Sequence, residues 1–430
     1  MEVQVQRSTV LPHGNPKTSP SELPLSIFDR FASNIHVAVL YAFAPPTPTD
    51  EALIDGLSKT LPHFPALTSR LGYAHESRRP CLVIGDDDGG ALLVEATVDC
   101  NLSDHLPFKP SPELRQLHPP TEGVRCMFQV QINRFNCGGV VIGMTHVHTV
   151  ADGESMSHFL VAWGETVRGL PIDRPPVHDR SLLTPRSPPW SEFQHRGFEF
   201  LPMDPNQNLL RLNQTSVDPS KITSTLLHYS LEFISKLKSN ITNKCTTFEA
   251  LASHIWRKIT ISRGLKYSQH TTARVSVNGR TKLNIPNEYF GNVVLNACPE
   301  ANVKLLVEGG LPAAARVIHD GVSKTDARYF RSFVDFGEIY GDEELVPVYA
   351  LEGNVLCPDV EIDSWLRFRY HEVDFGGGLG MCGLLLTWVP LDGLVVFLPV
   401  LGGNGGGVNV FVSLLEEHSS ILKQISHSLD

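Results

Sequence analysis

Chemistry-bearing residues are densest in Thr145-His146-Val147-His148-Thr149-Val150-Ala151-Asp152-Gly153. An apolar run (Val140, Val141, Ile142, Met144) ends in two histidines. A small-residue turn with Asp and Gly follows, then Met156, Phe159, Leu160 and Trp163 at helical spacing. Side chains alternate along a strand, so His146 and His148 share one face. An imidazole held at a rigid strand end beside a turn is what a general base requires. The same pattern suits two satisfied, half-buried histidines followed by an Asp that caps a helix, and locally both readings stand. A metal site on the two histidines needs a third ligand to which nothing in the chain points, so no metal is expected.

Two glycine-bearing turns offer further candidates. In Val373-Asp374-Phe375-Gly376-Gly377-Gly378-Leu379-Gly380, three consecutive glycines permit positive φ or close backbone approach. Gly378-x-Gly380-x-x-Gly383 matches a dinucleotide fingerprint in letters only, because Leu384 to Val389 reads as a strand where the fingerprint needs a helix. Gly402 to Gly407 lacks the Lys-Ser/Thr ending of a phosphate loop. Val277-Asn278-Gly279-Arg280-Thr281-Lys282 is a turn that presents two cations. It is either a solvated hairpin or the seat of an arginine that pairs with a carboxylate and locks the site.

These segments must be positioned by regular elements. Strands are predicted at Met1–Val10, Asn34–Phe43, Met127–Arg134 and Gly139–His148, with a helix over Thr49–Leu61 capped by Thr49. A second set runs through Leu226–Leu231, Arg274–Asn278, Trp365–Phe375, Leu384–Val389 and Leu394–Val400. Thr246-Thr247-Phe248-Glu249 is a capping-box pattern opening a helix, and Val408–Ile425 reads as a strand leading into a helix. Nine prolines between 171 and 219 mark a crossover. The domains expected are 1–170 and 221–430, joined by a proline-rich linker at 171–220.

With 430 residues and 42% hydrophobic content, the chain is an ordinary globular protein of two or three domains. Thirty-six Lys and Arg against 46 Asp and Glu give a net charge of −10 with no basic run, which argues against nucleic acid. The longest apolar stretch, Leu384 to Leu401, is broken by Pro390, Asp392, Gly393 and Pro399, so it reads as two buried strands joined by a turn rather than a membrane span. Eight scattered cysteines without a Cys-x-x-Cys pair suit reduced thiols in the cytoplasm.

In this order the segments resemble the BAHD family of acyl-CoA-dependent acyltransferases. That family carries His-x-x-x-Asp-Gly, matched by His148 to Gly153, and Asp-Phe-Gly-Trp-Gly, matched by Asp374 to Gly378. Its Asp-Gly-Arg turn matches Asn278-Gly279-Arg280, and its Tyr-Phe-Gly-Asn segment matches Tyr289-Phe290-Gly291-Asn292. Asn278 for Asp and Gly377 for Trp are departures. Gly377, together with Phe159-Leu-Val-Ala-Trp163-Gly and His195-Arg-Gly-Phe-Glu-Phe200, resembles the branch that transfers hydroxycinnamoyl or benzoyl groups to agmatine, putrescine or tryptamine.

The resemblance implies an α/β protein with two chloramphenicol-acetyltransferase-like domains, each a mixed sheet covered by helices, and a channel between them. His148 would be the general base in mid-channel, with no covalent acyl-enzyme. Asp152 would form a structural ion pair with Arg280, and Asp374, Gly376 and Gly378 would be structural as well. On the acceptor side the resemblance implies Asp363, His36, Tyr41 and Trp365, with Asp363 suited to a cationic acceptor. Lys236, Lys238, Thr246 and Thr247 are the expected CoA contacts. No resident cofactor, metal, membrane or nucleic-acid partner is expected; the partners are acyl-CoA and a small amine, and the protein is expected to be a monomer. An O-acyltransferase acting on an alcohol such as shikimate, and a non-catalytic ligand-binding homologue, are the alternatives.

Overall fold

The computed structural model describes residues 1–430 except 13–20, 86–88, 203–214, 242–244, 342, 344, 352, 378–379, 388, 403–405 and 430. Two mixed sheets carry the architecture. The first has the strand order Val3–Leu11, Ala91–Val98, Phe128–Phe135, Val140–Val147, His36–Phe43, Met381–Leu386. The second runs Ile222–Tyr229, Val408–Leu415, Leu394–Pro399, Val360–Ser364, His270–Asn278, Val294–Ala297, with Glu300–Asn302 also paired to His270–Asn278. Each sheet has its own apolar core. The two-domain α/β fold expected from the sequence is the fold observed.

Val140–Val147 is central to the first sheet, and all eight of its residues are buried. A strand covered on both faces reads as a continuous apolar run, and residues 140–144 of this one do, before Thr145 and His146. Gly143 belongs to this packing, since a Cβ there would lie 1.9 Å from the Leu117 carbonyl oxygen. The helix Gly153–Val167 follows at once, with Asp152 as N-cap accepting from Ser155 N. Its Trp163 packs edge-on against Phe375, at 5.0 Å between ring centres. On the second sheet, the helix Thr247–Ser262 opens with the Thr246–Glu249 capping box.

The structure corrects one expectation. Trp365–Phe375 is not a strand: the strand ends at Ser364, and a 3₁₀ turn occupies Arg369–Glu372. Its alternating aromatics pack on each other instead, with Trp365, Phe368 and Tyr370 rings within 6.4 Å, while Arg369 pairs with Glu372 one turn on. The two strands expected near 384–401 are present: Met381–Leu386 belongs to the first sheet, where it pairs antiparallel with His36–Phe43, and Leu394–Pro399 to the second. Of the two readings of residues 278–282, the structure shows the arginine paired with a carboxylate rather than the solvated hairpin. Arg280 opens a short helix, Arg280–Leu283, and is wholly buried, while Lys282 is exposed.

Arg280 meets Asp152 in a two-pronged pair, Nη1 to Oδ2 at 2.7 Å and Nη2 to Oδ1 at 3.0 Å. Burial alone would push the Asp152 carboxyl up, but the Arg280 charge and hydrogen bonds from Arg280, Ser155 and Val293 hold it below its ordinary value. The pair thus ties the helix after the first sheet to a turn of the second.

Two outcomes follow. Arg280→Met leaves a buried carboxylate uncompensated and lowers unfolding stability by about 3–5 kcal/mol in urea titration. Because the depressed Asp152 carboxyl contributes stability above the ordinary carboxylate range and loses it as pH falls, the gap between variant and parent narrows in acid. Gly377→Ala drives a Cβ to 2.0 Å from the Pro46 carbonyl oxygen, a backbone atom that must shift, and costs about 1–3 kcal/mol in the same titration.

Candidate functional site

His148 stands one residue past the end of Val140–Val147, where its backbone N–H donates to Ile35 O at 3.0 Å and its carbonyl accepts from Ala151 N at 3.2 Å. The turn that follows the strand is thus tied at both sides of the histidine. The ring is half-buried. Its Nδ1 lies 3.2 Å from Asn292 Oδ1. The Asn292 amide nitrogen donates to Asp29 Oδ1, His148 O and Thr149 O, which are acceptors only, so its oxygen must face the imidazole. Nδ1 then carries the proton, and the lone pair is left on Nε2.

His148 lies where two cavities meet. The larger, about 1000 Å³, is also lined by His36, Tyr41, His146, Arg115 and His118. The smaller, about 300 Å³, is walled by Phe28, Phe31, Tyr349 and Phe368. Glu361, Asp363 and Trp365 line both. The carboxylates on the smaller cavity are Asp152, Glu154, Glu361 and Asp363, with no Lys or Arg among its lining residues. Arg280 pairs with Asp152.

His146 and His148 have ring centres 6.3 Å apart. Burial pushes His146 down to about 3, with the neighbouring His148 and His36 adding to the effect, so it stays neutral at physiological pH. Burial lowers His36 as well, and its Nδ1 is buried without a hydrogen-bond partner. The Tyr41 phenol is pushed up by burial against a hydrogen bond with Tyr370. Asp363 is half-buried on the strand Val360–Ser364. Burial raises its carboxyl above the ordinary range, while a hydrogen bond with Ser276 and the nearby His148 ring pull the other way. No group of three or more metal-binding side chains occurs among the described residues.

The structure thus brings His148, Asp363, Trp365, His36 and Tyr41 around shared space. It sets others apart. Asp374 pairs with Arg168 at 3.0 Å and accepts from Gly376 N at 2.7 Å, which closes a turn at Gly376, where φ is +96°. Neither Asp374 nor Gly376 lines a cavity with His148. Gly378 lies outside the described residues. Lys236 pairs with Glu232 on an exposed helix face. Thr246 N and its hydroxyl both bond Glu249, so a carboxylate already occupies that helix start where a phosphate would have to sit. Lys236, Lys238, Thr246 and Thr247 line neither cavity at His148.

Sequence reasoning gave no role to Asn292, although it sits in the quoted Tyr289–Asn292 segment, and none to Glu361. Glu361 was within reach, because it precedes Asp363 by two on a strand and therefore shares its face.

The Transferase family model matches residues 1–428. Putrescine hydroxycinnamoyltransferase 3 of Oryza sativa subsp. japonica is 37% identical over 444 residues, covering 100% of each chain. Tryptamine hydroxycinnamoyltransferase 2 of the same plant is 36% identical, covering 94% of this chain and 93% of its own. Shikimate O-hydroxycinnamoyltransferase of Nicotiana tabacum is more distant, at 32% identity and 99% coverage of each. Vinorine synthase shares the fold at a TM-score of 0.74 and 19% identity, over 100% of this chain and 98% of its own. F. graminearum TRI101, solved with ethyl coenzyme A, does so at 0.70 and 16%, over 94% and 97%. With a family model spanning nearly the whole length and relatives well above 30% identity, the chain belongs to the Transferase family, the BAHD acyltransferases.

Proposed function

We propose that the protein is an acyl-CoA-dependent N-acyltransferase that moves a hydroxycinnamoyl or benzoyl group from CoA to an amine of the tryptamine, agmatine or putrescine type. The observation that carries this reading is the smaller cavity at His148, which offers carboxylates and no Lys or Arg among its lining residues. A cation is the ligand such a cavity favours, through charge-assisted hydrogen bonds to ammonium or guanidinium. The larger cavity has room for an aromatic acyl group and the arm of its thioester. The amine-acylating names of the relatives support the same choice.

A primary aliphatic amine with a pKa near 10.4 is neutral in roughly fewer than one molecule in a thousand at pH 7. The reacting nitrogen must therefore first lose its ammonium proton to solvent, and then give up a second proton as the carbon–nitrogen bond forms. The amine nitrogen attacks the thioester carbonyl, and His148 Nε2 accepts the proton released by the nitrogen. A tetrahedral intermediate then collapses: the carbon–sulfur bond breaks, the amide remains, and the CoA thiolate leaves and regains a proton from the imidazolium. No cysteine need act as nucleophile. All eight are free, which suits a reducing compartment such as the cytosol.

The test is CoA release from p-coumaroyl-CoA or benzoyl-CoA with agmatine, tryptamine, putrescine and shikimate as acceptors. Turnover of an amine with shikimate inert supports the reading, whereas turnover of shikimate alone overturns it in favour of O-acylation. His148→Ala lowers kcat by about 10²–10⁴. Asp363→Thr lowers kcat/KM for cationic amines by about tenfold to a hundredfold, the loss of one hydrogen bond to a charged group. Unchanged amine turnover in that variant removes Asp363 from acceptor binding.

A further inference from the structure

We propose that Asp29 is a positioning residue for this reaction: acting through the Asn292 amide, it holds His148 as the Nδ1–H tautomer and leaves Nε2 to accept the proton. The proposal rests on His148 being the base.

Asp29 lies in the short helix Ile27–Phe31 and is wholly buried. Its Oδ1 accepts from Asn292 N at 2.8 Å and from Asn292 Nδ2 at 3.0 Å. Its Oδ2 accepts from Ser26 N at 2.9 Å and from the Ser26 hydroxyl at 2.8 Å. The countercharge comes from the crossover, where Arg180 Nη2 stands 3.6 Å from Oδ2. Arg180 is itself fastened to the Tyr289 hydroxyl at 2.6 Å and to Phe290 O at 2.8 Å, just upstream of Asn292.

The carboxylate makes the orientation one-sided. Turning the Asn292 amide over would set its oxygen against Asp29 Oδ1 and the carbonyls of His148 and Thr149. A charged acceptor holds the amide nitrogen more firmly than the two carbonyls alone would. Placing an amide between carboxylate and imidazole also has an electrostatic consequence. A carboxylate in direct contact with an imidazole stabilises the imidazolium, whereas here an uncharged amide stands between the two. The other titratable groups around His148 include His36 and His146 of the first sheet, Asp363 of the second, and Asp152, Glu154 and Glu361 on the cavity wall.

The experiment uses the full chain, with p-coumaroyl-CoA and the best amine of the panel above, from about pH 5.5 to 9. Asp29→Asn and Asn292→Ala lower kcat by about tenfold to a hundredfold, while both KM values stay within about twofold. Asn292→Asp, which brings a carboxylate against Nδ1, moves the acid limb of kcat/KM upward by about one pH unit or more. A merely structural role for Asp29 would change melting temperature without that kcat–KM split or that pH shift. In the unmodified protein, ¹⁵N-histidine spectra at about pH 8 show the resonance missing from His148→Ala as the Nδ1–H tautomer. An Nε2–H tautomer there overturns the proposal even if every variant misfolds, as do kcat values and a pH profile like the parent's in the three variants. Retained CoA release in His148→Ala overturns instead the assignment of the base.

Discussion

The buried pair of Asp152 and Arg280 is the constraint on which the site depends. Two opposite charges taken out of water are tolerable only when geometry and hydrogen bonds are complete, and here they are. Asp152 caps the helix after the first sheet, so the pair sets where that helix begins. Arg280 also donates to the carbonyls of Tyr289 and Gly291, and Ser155 bonds both the N–H and the carbonyl of Gly291. The segment that carries Asn292 is thereby fixed against the strand end that carries His148. A buried carboxylate paired with Arg280 thus determines where His148 stands.

Charge around His148 is set by burial as much as by pairing. His146, a neighbouring imidazole, stays uncharged and so places no permanent positive charge beside His148. The smaller cavity is lined by Glu361 and Asp363 as well as by Asp152, whose carboxylate is paired with Arg280. The overall charge of −10 is mildly favourable to a cationic acceptor and unfavourable to polyanionic CoA, so CoA must rely on local contacts.

Much of this was legible in the sequence where the signal is local. The cap at Thr49, the capping box at Thr246 and the strand ending near His148 each depend on residues within a turn of one another, and each is observed. The ordered motifs carried the fold and the family. Trp365 to Phe375 misled because alternating aromatics satisfy a strand pattern and a self-packed cluster equally well. Asn292 carries no local signal at all: its contact with His148 spans 144 residues and exists only once both sheets are assembled. The expected CoA contacts were chosen for charge and helix polarity; Lys236 is paired with Glu232 and Thr246 with Glu249.

The strand Met381–Leu386 reaches out of the second half to pair with His36–Phe43 at the edge of the first sheet. Because translation runs from the N-terminus, residues 36–43 are made long before their partner. Until residue 386 has left the ribosome, His36–Phe43 is an edge strand with open hydrogen-bonding groups, the kind that invites pairing with other chains. The strand bearing His36 and Tyr41 is enclosed in the first sheet only once residues 381–386 have been made.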